Sequence, residues 1–192
     1  SLIARRDAQL EAGLAAAVEL TEIADTLVAN AEMGASAVIS SLYGMDGTDT
    51  ADPEIRLDTL DKLIEVDLFQ MGLMFELRSH ASEVGLLLNR VAGVQTQAEL
   101  QALRDELAAR VRVISRRLES VQDPRRADRV RVLLRVIGAA PAAPPETAAL
   151  FENVAQVLAV TERITRAETE LRRAALELET AASALADRIE AN

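Results

Sequence analysis

The sequence has no cysteine and no tryptophan, and its only aromatic residues are Tyr43, Phe69, Phe75 and Phe151. Without cysteine the chain has no disulfide framework, no thiol nucleophile and no cysteine-based metal site. Hydrophobic residues make up 49% of the chain. Because few of them are aromatic, they are mainly Leu, Val, Ile, Ala and Met, a composition typical of helix bundles rather than of sheets. No apolar run reaches the roughly 18 residues that a membrane span needs.

Positive charge is also scarce, because the net charge of the 192 residues is −10. This charge argues against nucleic acid as a partner, since backbone phosphates require an excess of Lys and Arg. The exception is the segment 104–135, which holds ten arginines against five acidic residues. One segment is thus basic on an otherwise acidic body.

Catalytic motifs are absent from the sequence. His80 is the only histidine, and a single histidine beside serines provides neither a metal cluster nor a catalytic triad. Phosphate loops, zinc motifs and nucleophile elbows are missing as well. We therefore predict a non-enzymatic fragment without cofactor or metal.

What the sequence does have is a 4-3 spacing of small and apolar residues near both ends. This spacing predicts two long helices with a coiled-coil seam, at residues 2–43 and 146–192. Neither helix shows a stop signal at the chain end, so we expect both to continue in a longer protein. In the last helix the seam positions are Leu150, Val154, Val157, Thr161, Ile164, Glu168, Leu171, Ala175, Leu178, Ala182, Leu185 and Ile189.

Glycine and proline divide the rest of the chain. We expect residues 44–49 to form a turn, Pro53 to open a second helix over 54–92, and Gly93 to close it. Thr96 and Glu99 form a capping box for a third helix, which is interrupted at Asp123-Pro124. A short basic helix over 125–137 and a proline-rich connection over 138–145 precede the last helix.

These lengths predict an all-α, elongated antiparallel bundle with up-down-up-down topology. The third arm would be residues 97–137, broken at Pro124, and the last helix would be the fourth arm. The 44–53 and 139–145 connections would lie at the end far from the termini. An alternative is two shorter four-helix modules stacked end to end.

Two groups of polar residues are candidate sites. Asp67, Gln70 and Arg78 project from a helix that is apolar nearly all round. They either bind a ligand or partner, pair internally as Asp67–Arg78, or form a second exposed strip at a dimer interface. The second group, Arg125, Arg126 and Arg129, either binds an anion or forms a charged face that the acidic body neutralises. Glu168 is a separate candidate for signal transmission, because a charged seam residue can weaken a layer that must move.

Several segments resemble one known family. They are DTLVANA at 25–31, AVISSLY at 37–43, EVDLF at 65–69, MFELR at 74–78 and EVGLLLN at 83–89. Together they are similar to the periplasmic sensor region of TorS-type hybrid histidine kinases. The resemblance is densest over residues 20–92.

The resemblance implies an elongated helical sensor region between two membrane helices absent from this chain, in a dimeric receptor of the bacterial inner membrane. Its stimulus would be read by docking a TorT-like periplasmic binding protein, and the kinase chemistry would belong to cytoplasmic domains. As candidate docking residues at the membrane-distal end we name Tyr43, Met45, Asp46 and Asp49. Two alternatives are a chemoreceptor-type bundle that binds a small anion near Arg78 or 125–135, and a coiled-coil scaffold without a sensory role.

Overall fold

The computed structural model describes residues 1–46, 53–137 and 145–190, and these residues form helices without any strand. The helices are α1 (Leu2–Asp46), α2 (Pro53–Lys62), α3 (Phe69–Ala92), α4 (Gln97–Arg117), α5 (Pro124–Val136) and α6 (Pro145–Glu190). A π-helical segment, Leu63–Leu68, joins α2 to α3, and a short 3₁₀ turn, Leu118–Ser120, follows α4.

Local capping explains where α4 and α5 begin. The Thr96 hydroxyl accepts a hydrogen bond from the backbone N–H of Glu99 at 3.2 Å, and the Glu99 carboxylate accepts one from the N–H of Gln95. Asp123 caps α5 by accepting from the N–H of Arg126 at 3.0 Å, with Pro124 in the first turn. The predicted cap at Thr96 and the break at Asp123-Pro124 are both present, although the Glu99 carboxylate bonds to Gln95, one residue before the cap, rather than to Thr96 as in a capping box.

Helices α1 and α3 pack antiparallel along most of their length. A side chain at Gly85 would contact Ala17, one at Gly13 would contact Leu88, and Arg78 pairs with Asp25 at 2.6 Å. We call the end with the first turns of α1 the proximal end, and the end with the last turns of α1 the distal end. Helix α3 therefore descends from the distal end toward the proximal end.

Helix α4 ascends and α5 descends, so the chain reverses at residues 118–123. The α4 start lies beside α6, where the Gln97 amide donates to the Ala155 carbonyl at 2.8 Å. The α4 end lies higher, because Arg117 pairs with Glu76 at 2.7 Å. Arg129 of α5 then pairs with Glu19 of α1. The four helices α1, α3, α4 and α5 thus form the antiparallel bundle.

The all-α bundle predicted from the sequence is confirmed, but the prediction that the last helix is its fourth arm is wrong. Residues 97–137 are two antiparallel helices rather than one broken arm, since Asp123-Pro124 starts a reversal. Helix α6 enters at the proximal end, where the Asn153 amide donates to the Gln9 side chain at 2.7 Å. The last helix therefore does not return from the distal end along the whole bundle. The division into two modules stays a prediction.

One continuous apolar core fills the bundle. Only the first turns of α6 join it, through Leu150, Phe151 and Val154, and the Arg104 guanidinium lies over the Phe151 ring at 5.9 Å. The largest fully buried side chains are Leu20, Leu77, Val84, Leu88, Val91, Leu103, Leu107, Val111, Ile114, Leu118, Val130 and Ile137.

Candidate functional site

A cavity of about 300 Å³ lies where the bundle meets the distal part of the molecule. Its walls come from three places in the chain: α1, the π-helical segment with the start of α3, and the turn that precedes α5. Leu27 and Met74 provide buried apolar surface, and the exposed Asn30 and Gln122 bring amides to the rim. A side chain at Gly34 would contact nothing within 4 Å, so the α1 side of the cavity is open.

Asp67 contributes a carboxylate to this cavity from the π-helical segment. Its Oδ2 atom is buried and has no hydrogen-bond partner among the described residues. Arg78, the internal partner that the sequence suggested, pairs with Asp25 of α1 instead. The other carboxylate of the cavity, Asp123, is occupied by the backbone and side chain of Arg126. The Asp67–Arg78 pair is therefore not formed, and Asp67 faces the cavity without a cation.

The structure brings some predicted residues together and separates others. Asp67 and Gln70 line the same cavity, whereas Arg78 does not line it. Asn30 and Gln122 were missed, because they come from α1 and from the turn before α5, whose positions relative to Asp67 depend on the tertiary fold. The only sequence signal for Gln122 is its place directly before the Asp123-Pro124 break. A sequence pattern on one helix cannot show which residues of other helices face it.

The basic residues of α5 do not surround a common site. The Arg126 guanidinium donates to the Asp123 carboxylate. The Arg129 guanidinium donates to the Glu19 carboxylate, with 2.6 Å between Nη2 and Oε2. Arg125 is exposed, and none of the three lines the cavity. The structure therefore favours the alternative in which acidic neighbours neutralise this segment.

Three carboxyl groups have a pKa below the ordinary range because arginines or backbone amides hold them. The Arg129 guanidinium lowers the pKa of Glu19 by hydrogen bonding, and Arg117 does the same to the pKa of Glu76. The backbone N–H of Arg126 is the main cause of the lowered pKa of Asp123. Glu19 and Glu76 link helices α1–α5 and α3–α4, so these pairs orient the bundle.

The distal hairpin, which we define as residues 33–46 and 53–69, carries much exposed apolar surface. Tyr43 is 77% exposed and Phe69 is 61% exposed. Ile39 lies one turn before Tyr43 on α1, so the two side chains share a face. Of the other predicted docking residues, Asp49 lies outside the described residues, and so do the side chains of Met45 and Asp46. The further exposed apolar side chains of the hairpin are Met33, Ile55, Leu57, Leu60, Ile64, Val66 and Leu68.

Helix α6 leaves the bundle after its first turns, because every side chain from Ala159 to Leu185 is exposed. The predicted seam is thus an exposed stripe, apolar except at Thr161 and Glu168, that no helix covers among the described residues, and it includes Ile164, Leu171 and Leu178. Glu168 is exposed within this stripe, and its role in transmission stays a prediction. The expectation that the last helix forms the fourth arm of the bundle is therefore wrong beyond its first turns.

No helix in residues 1–46, 53–137 and 145–190 is long and apolar enough to cross a membrane. The same residues contain no group of His, Asp and Glu arranged to hold a metal ion. His80 is mostly buried, and its ring Nδ1 lies 3.2 Å from the Glu83 carboxylate. The features of functional interest are therefore the cavity around Asp67, the exposed apolar surface of the distal hairpin and the apolar stripe on α6.

Comparison with known proteins gives one family and one fold. Residues 1–191 match the family model described as sensor protein TorS, sensor domain. The fold is similar to a chain in the crystal structure of the TorS sensor domain–TorT complex in the presence of TMAO, with a TM-score of 0.68 and 21% sequence identity. The match covers 86% of this chain and 60% of that chain, so this chain spans less than two thirds of it. No curated protein matches the chain significantly.

Proposed function

The chain belongs to the family of TorS sensor domains, and from this premise we propose that it senses its stimulus by docking a TorT-like periplasmic binding protein. The solved TorS sensor domain to which the fold is similar forms a complex with TorT. A sensor of this kind needs no catalytic residue of its own. The stimulus would be recognised by the docked protein, and the helices would report the docking.

The observation that carries the proposal is the apolar surface of the distal hairpin. Soluble proteins rarely expose large contiguous apolar patches unless these bind a partner or a membrane. Aromatic side chains are enriched in protein interfaces and often supply most of the binding free energy. Tyr43 and Phe69, two of the four aromatics in the chain, are the most exposed of them. We therefore place the docking surface on this hairpin.

The sensor domain is periplasmic in this proposal, and helices outside this sequence anchor it in the inner membrane. The parent protein would be a histidine kinase, whose transferase chemistry lies in the cytoplasm. Two receptor chains would pair, and the exposed stripe of α6 offers a 4-3 apolar seam for this homodimer. Docking at the distal hairpin would then shift the packing of α1 and α6, and Glu168 is the candidate that keeps this seam adjustable.

The test is a binding measurement between this fragment and the periplasmic binding protein encoded nearest to its gene. Phe69→Glu should raise Kd about tenfold or more, since a Phe that is 61% exposed forfeits about 1–2 kcal/mol of burial when it no longer docks. Leu86→Glu is the matched control, because Leu86 is 65% exposed on α3 and lies outside both the hairpin and the α6 stripe. It should leave Kd unchanged.

Light scattering in the same experiment reports the mass of the fragment with and without the binding protein. Saturable binding that Phe69→Glu weakens and Leu86→Glu does not is the expected result. Binding that both variants weaken equally would contradict a docking surface on the hairpin. The absence of any complex, at all ligand concentrations, would contradict docking itself and favour the chemoreceptor or scaffold alternatives.

A further inference from the structure

We infer that the cavity around Asp67 is a binding site for a small protonated alkylamine. This inference goes beyond the docking proposal and does not depend on it, because it concerns the sensor chain without its partner. It rests on the orphaned Asp67 carboxylate oxygen, the chemistry of the walls and the position of the cavity between three elements.

The Asp67 oxygen requires a hydrogen-bond donor. Oδ2 is buried without a partner among the described residues, and a buried acceptor that lacks a donor is destabilising. The Arg78 guanidinium is held by Asp25 and the Arg126 guanidinium by Asp123, so neither arginine supplies the donor. A ligand N–H⁺ group satisfies both the charge and the hydrogen-bonding capacity of this oxygen.

The other walls define the rest of the ligand. Leu27 and Met74 offer apolar surface to an alkyl chain, and Gln70 adds an amide beside Asp67. The volume of about 300 Å³ lies at the small end of ligand pockets, which measure about 300–1,000 Å³. The wall groups thus select a compact cation with at least one N–H and a short alkyl chain. An anion is disfavoured, because the described residues that line the cavity include the Asp67 and Asp123 carboxylates and no arginine.

The backbone at Asp67 supports a functional role for this position. Asp67 lies in the π-helical segment 63–68, and short π-helical stretches occur frequently at functional sites, although they are less stable than α-helix. The same segment belongs to the distal hairpin and leads into α3, and the cavity also contacts α1 and the turn before α5. A bound amine therefore bridges the hairpin to the bundle.

The experiment is an NMR titration of the full 192-residue chain with butylammonium chloride at neutral pH, where the amine is fully protonated. The backbone amide of Gly34 is the reporter, since this glycine lines the cavity. Butyrate and 1-butanol are the matched probes, which keep the alkyl chain and replace the cation by an anion or a neutral hydroxyl. We expect saturable shifts with butylammonium and at least tenfold weaker binding of the other two.

Two variants test the role of the cavity residues. Asp67→Asn should weaken butylammonium binding at least tenfold, and Ala31→Met should weaken it similarly by filling the cavity without changing Asp67. Glu65→Gln is the control, because Glu65 is exposed in the same π-helical segment and its replacement removes the same charge. It should change Kd by less than about twofold. Circular dichroism confirms that each variant is folded.

Three results would overturn the inference. A cavity that holds only water gives no saturable shift at Gly34. An apolar cleft without cation selectivity binds 1-butanol as well as butylammonium. Binding elsewhere on the acidic surface is unaffected by Asp67→Asn or by Ala31→Met. None of these measurements involves the binding protein, so docking and amine binding fail independently.

Discussion

Removing the exposed part of α6 should leave the stability of the bundle almost unchanged. A chain that ends after Leu158 keeps all the buried core residues, including Leu150, Phe151 and Val154. The deleted residues are exposed wherever their side chains are described. Changes at exposed positions outside special features usually alter the free energy of unfolding by less than about 0.5 kcal/mol. For a chain of this size each kcal/mol shifts Tm by about 2–4 °C, so we expect a change of only a few degrees.

A second truncation, after Ile137, is the control for α6 packing. It removes Leu150, Phe151 and Val154, which are each 4% exposed. Full burial of such a side chain contributes about 1.5–3 kcal/mol, so their loss costs up to roughly 5–9 kcal/mol. It also breaks the hydrogen bonds from Gln97 to Ala155 and from Asn153 to Gln9. We expect Tm to fall by at least about 10 °C.

Thermal unfolding followed by far-ultraviolet circular dichroism measures both truncations. The samples are kept at a concentration where light scattering gives the monomer mass, so that any loss of α6 pairing between chains is excluded. If ending the chain after Leu158 lowered Tm by as much as ending it after Ile137, the distal half of α6 would be part of the core. The assignment of α5 as the fourth helix of the bundle would then be refuted.

Two further predictions concern the polar contacts of the bundle. Asp123→Ala removes the cap of α5, so the N–H of Arg126 loses its acceptor. We expect chemical denaturation to show a free energy of unfolding lowered by about 1 kcal/mol. Asp128→Ala, further along α5, is the control and should lower the free energy of unfolding clearly less. The lowered pKa values of Glu19, Glu76 and Asp123 predict acid sensitivity, since the carboxylates stabilise the fold fully above their ordinary values of 4.5 for Glu and 3.8 for Asp. This stabilisation is lost as the pH falls through the lowered folded-state values, and Glu19→Gln should flatten the pH dependence of denaturation midpoints in that acidic range. A pH dependence identical to that of the parent protein would contradict the Glu19–Arg129 link.

The sequence was sufficient for the local structure. The 4-3 spacing located α1 and α6, Thr96 and Glu99 located the start of α4, and Asp123-Pro124 located the break after it. These signals act over one or two turns, so neighbouring residues in the chain determine them. The resemblance to the TorS sensor family also agreed with the match over residues 1–191.

The sequence did not show which helices pack against one another. Asp123-Pro124 fits a broken arm as well as a reversal, and only packing against α1 shows that the chain turns back. The seam of α6 was correctly periodic, but periodicity does not say whether a helix of the same chain covers it. Asp67 and Gln70 were recognised as polar residues on an apolar helix. Their cavity was not, because α1 and the turn before α5 complete it.

The exposed part of α6 has a mechanical consequence. From Ala159 to Glu190 the helix spans about 50 Å at 1.5 Å per residue, and it is held only at its first turns. A tilt of roughly 5° at the packed turns around Phe151 displaces the far end of such a rigid rod by about 4 Å. Small changes in the packing of Leu150 and Val154 against the bundle therefore produce larger displacements at the far end of the helix.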